Sequence, residues 1–134
     1  MSGVVVGYVA KPEGRAALRK AVEEAKRRNV PLLVVSSVQT TKSVLTQRSP
    51  GSEEELGGVD AELQSSGIAS QVRQLAPDAD FAEELLTTAA DAQADLIVIA
   101  LRRRSPIGKL LLGRNAQRVL LDARCPVLTV KAEG

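Results

Sequence analysis

The segment Arg102-Arg103-Arg104-Ser105-Pro106-Ile107-Gly108-Lys109-Leu110-Leu111-Leu112-Gly113-Arg114-Asn115 gathers the residues best suited to hold an anion. Gly113 allows close approach to the backbone. A helix starting beside it would offer free N–H groups and a partial positive charge, and Asn115 suits the N-cap of that helix. Arg103, Ser105, Lys109 and Arg114 can add hydrogen bonds to a phosphate, strengthened by the basic side chains. The same residues also describe a capped loop kept soluble by its arginines. On composition alone the two readings are evenly matched.

Other chemistries are closed by absence. The 134 residues include no histidine, which removes Ser-His-Asp and Cys-His catalysis, imidazole acid–base chemistry and histidine-bound metals. A single cysteine, Cys125, makes neither an internal disulfide nor a multi-cysteine metal site. One Tyr, one Phe and no Trp are too few for a platform that stacks bases. We therefore expect no catalytic residues, no metal site and no enzyme. No apolar run reaches the roughly 18 residues that span a bilayer, and the first residues carry no signal-peptide pattern. The expected location is the cytoplasm, without a membrane partner.

Charge is unevenly placed although the net value is only +2. Pro50 to Ala100 holds eleven acidic residues against Arg73 alone, whereas Leu101 to Arg124 holds seven basic residues against Asp122 alone. Such asymmetry suits an anionic partner at the basic end. One candidate is a nucleotide phosphate, and another is an acidic protein or nucleic acid bound along residues 102–124. Nucleic acid is the poorer fit, because the basic segment lacks interleaved aromatics and the acidic half repels phosphate.

Elements that could position this segment follow from periodicity. Val4 to Val9 is a β-branched run of the kind buried on both faces of a sheet. Pro12 suits a first helical position. Ala17, Leu18, Ala21, Val22 and Ala25 then keep helical spacing to Asn29. Leu32 to Val35 is a second strand. The polar stretch 36–58 is expected to be a flexible loop, with a short helix over Asp60 to Ser65. Ser70 to Leu75 reads as an edge strand. Ala82, Leu85, Leu86, Ala89 and Ala90 form a helical stripe after the acidic turn Asp78-Ala79-Asp80. Leu96 to Ala100 is the strongest strand, a helix surrounds Ala116 to Ala123, and Pro126 to Lys131 is the last strand. Alternation of this kind predicts one α/β domain over residues 1–134: an open five-stranded parallel sheet with helices on both faces, Rossmann-like. In the order 3-2-1-4-5 the strand order reverses between the first and fourth strands, beyond Val9 and Ala100, and ligands bind at such a reversal.

The order of these elements, Arg15-Ala16-Ala17-Leu18, the turn Leu110-Leu111-Leu112-Gly113 and the ending Ala123-Arg124-Cys125-Pro126-Val127-Leu128-Thr129-Val130 together resemble the universal stress protein (UspA) family. The resemblance implies the order 3-2-1-4-5, a homodimer, and in many members ATP held through glycines spaced G-x2-G-x9-G and followed by Ser or Thr. Gly113 matches the third glycine. Ala100 and Arg103 stand at the first two, Arg114 follows Gly113, and Val9 stands where the ATP-binding branch usually carries an acid. The candidate nucleotide site is thus Val9, Ala100, Arg103, Ser105, Gly113, Arg114 and Asn115, for ATP or another adenine nucleotide. The implied function is a non-catalytic regulatory or stress-response module with a degenerate nucleotide site. The alternative is a true nucleotide binder whose arginines replace glycine contacts. Val127, Leu128, Thr129 and Val130 would form an open apolar sheet edge, and antiparallel pairing with a second copy would cover it.

Overall fold

In the computed structural model, which describes residues 2–9, 12–37, 61, 63–103, 110–111 and 113–131, the run Val4-Val5-Val6 opens strand β1 (Val4–Tyr8), buried along its whole length. Side chains alternate across a strand, so β1 feeds two cores. Val4, Val6 and Tyr8 pack with Ala17, Leu18, Ala21 and Ala25 of helix α1 (Pro12–Arg28). Val5 packs on the opposite face with Leu85 of helix α2 (Phe81–Ala92) and Val119 of helix α3 (Arg114–Asp122). Each fully buried valine contributes roughly 1.5 kcal/mol or more of hydrophobic stabilisation, and β1 holds three of them in a row at 0% exposure.

The remaining strands are β2 (Leu32–Ser36), β3 (Ser70–Gln74), β4 (Leu96–Arg103), β5 (Leu110–Leu111) and β6 (Val127–Lys131). Strands β3, β2, β1, β4 and β6 lie side by side and parallel. Their registers pair Ser70 with Leu32, Leu32 with Val4, Val4 with Leu96, and Ile97 with Val127. This is the predicted order, with β6 as the fifth parallel strand. β3 is the outer strand at one side, with four of its five residues exposed, in keeping with its polar sequence.

Helix boundaries follow local chemistry. Asn29 leaves α1 in the left-handed region at φ 55°, a conformation asparagine tolerates at helix ends. Asp80 caps α2, its Oδ1 accepting from the Glu83 N–H at 3.1 Å. The short helix expected near residue 60 is present as helical backbone at Leu63 to Ser66, with Leu63 buried.

Two expectations are corrected, and a third is not reached by the described residues. Ser36 belongs to β2 and is fully buried, its carbonyl accepting from the Leu75 N–H at 2.9 Å; a polar residue ends this strand because the ladder holds its backbone. Residues 38–58 of the expected loop lie outside the described residues. The fourth strand continues beyond Ala100 to Arg103, where Arg102 pairs with Leu111 and Arg103 with Leu110 in an antiparallel extension. Expected to follow the strand as loop, Arg102 and Arg103 join the sheet because β5 supplies partners for their backbone groups. No helix among the described residues is long and apolar enough to cross a membrane.

Candidate functional site

A cavity of about 280 Å³ opens at the carboxyl ends of β1 and β4. The chain leaves β1 toward α1 on one face of the sheet and, after β4, forms α3 on the other. The two connections diverge, and a crevice is left between them. Val9 and Ala100 line it from the strand ends, and Gly113, Arg114 and Asn115 line it from the start of α3. Five of the seven sequence-derived positions therefore meet in one place. Arg103 lies further along β4 with its backbone paired to Leu110. Ser105 and Lys109 lie outside the described residues.

Helix α3 begins differently from the expectation. Gly113, in extended conformation, is the N-cap, and Asn115 lies within the first turn. The first intrahelical bond runs from the Gln117 N–H to the Gly113 carbonyl at 3.0 Å. Glycine has no side chain with which to cap, and no side-chain hydrogen bond closes this terminus. The first turn holds no acidic residue either; its leading residue is Arg114. A cation at the positive end of a helix is opposed by the helix dipole by about 0.3–1 kcal/mol. An anion in the crevice would reverse the sign of that interaction.

Gly113 has a second informative property. Its φ of −67° suits any residue, and a Cβ placed on it would meet nothing within 4 Å among the described residues. Neither backbone strain nor packing within the described chain calls for glycine here. Glycine is among the residues favoured at an N-cap, and here it also leaves the backbone accessible from the crevice.

Two other glycines shape the walls. A Cβ on Gly7 would come within 2.8 Å of the Phe81 ring. Its absence lets that ring settle over β1 as part of the cavity lining, beside Leu85 and Ile99. A Cβ on Gly14 would overlap the Val9 carbonyl oxygen and lie 2.8 Å from the Val9 carbonyl carbon. The first turn of α1 therefore sits directly on the end of β1 and brings Glu13 to the crevice. Sequence reading missed Glu13, Phe81 and Leu85. The signal for Glu13 was Pro12 before it and Gly14 after it, the start of a helix that must pack closely.

The two helices that wall the crevice are tied together. Arg118 of α3 donates to Asp80 Oδ2 at 2.6 Å and to Glu83 Oε2 at 3.3 Å. Asp80 titrates below its ordinary 3.8, first because the Glu83 N–H bonds to it and then because Arg118 does; the same pairing raises Arg118. All three groups are solvent-exposed, so the clamp orients more than it stabilises. A larger cavity of about 570 Å³ lies between the C-terminal ends of α2 and α3, near Gln93, Arg124 and Cys125. Helix C-termini repel anions, and Asp122 lines this second cavity beside Arg124. Among the described residues no group of three or more Cys, Asp or Glu could hold a metal ion.

The chain and its fold have known counterparts. Residues 1–131 match the model of the Universal stress protein family. A universal stress protein from Mycolicibacterium smegmatis is 45% identical over 131 residues, 98% of each chain. The solved universal stress protein from Archaeoglobus fulgidus superposes with a TM-score of 0.75 at 30% identity, covering 98% of each chain. A second Archaeoglobus fulgidus structure, determined in complex with dAMP, superposes with a TM-score of 0.70 at 23% identity over 98% of each chain.

Proposed function

This chain belongs to the universal stress protein family, and from that premise we propose that it is a regulatory module that binds an adenine nucleotide in the β1–β4 crevice without turning it over. The observation that carries this reading is the start of α3. Arg114 stands at the positive end of a helix whose glycine N-cap leaves its amides without a capping side chain, at the mouth of a cavity. That arrangement offers backbone donors and a guanidinium to a phosphate. The fold relative solved with dAMP is consistent with an adenine nucleotide. The reading for this chain rests on its own crevice.

Absence of turnover is part of the proposal. What supports it is that the sequence holds no histidine for imidazole acid–base chemistry, and that Val9 stands where the family's ATP-binding branch usually carries an acid. Regulation then means that ligand or partner biases which surface the module presents, in the cytoplasm. The competing reading, a broad basic face for acidic protein or nucleic acid, loses Arg118 to Asp80 and Glu83 within the chain.

We further propose a homodimer through β6. Val127 to Val130 are each half-buried at the sheet edge. Antiparallel pairing of two β6 strands would satisfy the edge amides and shelter this apolar surface. Sedimentation at tens of micromolar should show a dimer, and Thr129→Pro should shift it toward monomer by removing a ladder donor.

A thermal-shift panel of ATP, ADP, AMP and cyclic AMP, each with and without Mg²⁺, tests the nucleotide reading. At least one should raise the midpoint, corresponding to about 2.7 kcal/mol at a hundredfold excess over Kd, and Arg114→Ala should abolish the shift. No response to any of them at millimolar concentration refutes it, and steady phosphate release from ATP refutes the absence of turnover.

A further inference from the structure

We propose that the cavity between the C-terminal ends of α2 and α3 is a binding site in its own right, one that takes an organic cation: a protonated amine carried on an apolar chain. It lies at the opposite end of the sheet from the β1–β4 crevice. Each helix runs back against the parallel strands that it connects. Both C-termini therefore gather beside the start of β4, where Ile97 lines the cavity. The volume is about 570 Å³, within the range of small-molecule pockets, roughly 300–1,000 Å³. Leu86, Ala89, Ala90 and Ile97 give it apolar walls.

Charge selects the occupant. A helix C-terminus carries a partial negative charge, which Lys, Arg or His in the last turn often offsets. Neither helix does so here, since no basic residue stands in the last turn of α2 or of α3. Acids stand there instead, Asp91 in α2 and Asp122 as the final residue of α3, and Asp122 lines the cavity. A further negative charge is felt inside: burial raises the Cys125 thiol, and the Asp95 carboxylate raises it further. Asp95 accepts from the Gly3 N–H at 3.3 Å, a bond that leaves its charge in place. Against these stands Arg124, the one described cation on the lining, exposed at the rim. Asp122 and Arg124 balance each other, and the two helix ends with Asp91 and Asp95 tip the site negative. After the Ala123 N–H bonds the Val119 carbonyl at 2.9 Å, the last carbonyls of α3 have no intrahelical partner and can accept from an ammonium. An anion is repelled, a neutral apolar molecule gains only from the walls, and an alkylammonium gains from both.

Calorimetric titration of the full chain at pH 7 with hexylammonium, hexanol and hexanoate separates charge from chain, because the three share one alkyl tail. The native protein should bind hexylammonium roughly tenfold more tightly than hexanol, with hexanoate weaker still. Bound hexylammonium should also slow labelling of Cys125 by an uncharged thiol reagent, since that thiol lines the same cavity. Asp122→Asn should narrow the preference for the ammonium over the alcohol, and Arg124→Ala should widen it. Equal affinities for the three probes in the native protein overturn the proposal, leaving an apolar hollow without charge preference. Tighter binding of hexanoate overturns it in favour of Arg124. Failure of hexylammonium to bind at millimolar concentration overturns it as well, as does binding that leaves the labelling of Cys125 unchanged; neither result needs a variant to fold. An unchanged preference in Asp122→Asn does the same.

Discussion

Replacing Gly14 with alanine sets two effects against each other, and the structure says which one wins. Within a helix, alanine is better than glycine by about 1 kcal/mol, because glycine orders more backbone on folding. Propensity alone therefore predicts a more stable protein. At this position, however, the new Cβ overlaps the carbonyl oxygen of Val9 and lies 2.8 Å from the Val9 nitrogen. The obstacle is backbone at the end of a buried strand, which cannot swing aside as a side-chain tip can. Forcing an extra carbon into a close-packed site typically costs about 1–3 kcal/mol and occasionally more, and contact with backbone puts this case at or beyond the upper end. The net effect is a loss of about 2 kcal/mol or more, which is roughly 7 °C or more of midpoint for a chain of this size. Urea and thermal unfolding measure it. A Gly14→Ala protein as stable as its parent, or more so, would show that α1 does not rest on β1 as described.

Gly113→Ala offers the contrasting case: with ordinary φ and nothing within 4 Å of its Cβ among the described residues, it should cost at most about 1 kcal/mol as an N-cap change while sharply weakening nucleotide binding by calorimetry. Thr88 is 9% exposed and its Oγ1 has no hydrogen-bond partner among the described residues. Thr88→Val should therefore stabilise the fold by about 1 kcal/mol in urea titration, since a buried hydroxyl without a partner is costly. Asp80 titrates below its ordinary 3.8 in the folded chain, so the stability it contributes is fully present above pH 4 and is lost as pH falls through the folded-state value. Asp80→Asn keeps a capping side chain without the charge and should flatten that part of the acid limb, as thermal melts from pH 2 to 6 would record. Burial pushes the Cys125 thiol above its ordinary 9.0, so a thiol reagent should label the native protein more slowly than free cysteine at pH 7, and a rate near that of free cysteine would contradict this.

The sheet was readable because its central strands are nearly pure. Val4-Val5-Val6 and Leu96-Ile97-Val98-Ile99 carry no polar alternation, which in a short chain with intervening helical stripes leaves few arrangements other than a doubly covered parallel sheet. Strand ends were harder. Arg102 and Arg103 look like loop because side-chain chemistry is what a sequence displays, yet a ladder is made by backbone groups, and Leu110 and Leu111 pair with them. Ser36 ends β2 for the same reason. At α3 the competition was between two capping residues two positions apart. Asn115 has the better side chain for an N-cap, but the helix starts beside Gly113, leaving the amides of the first turn for whatever enters the crevice.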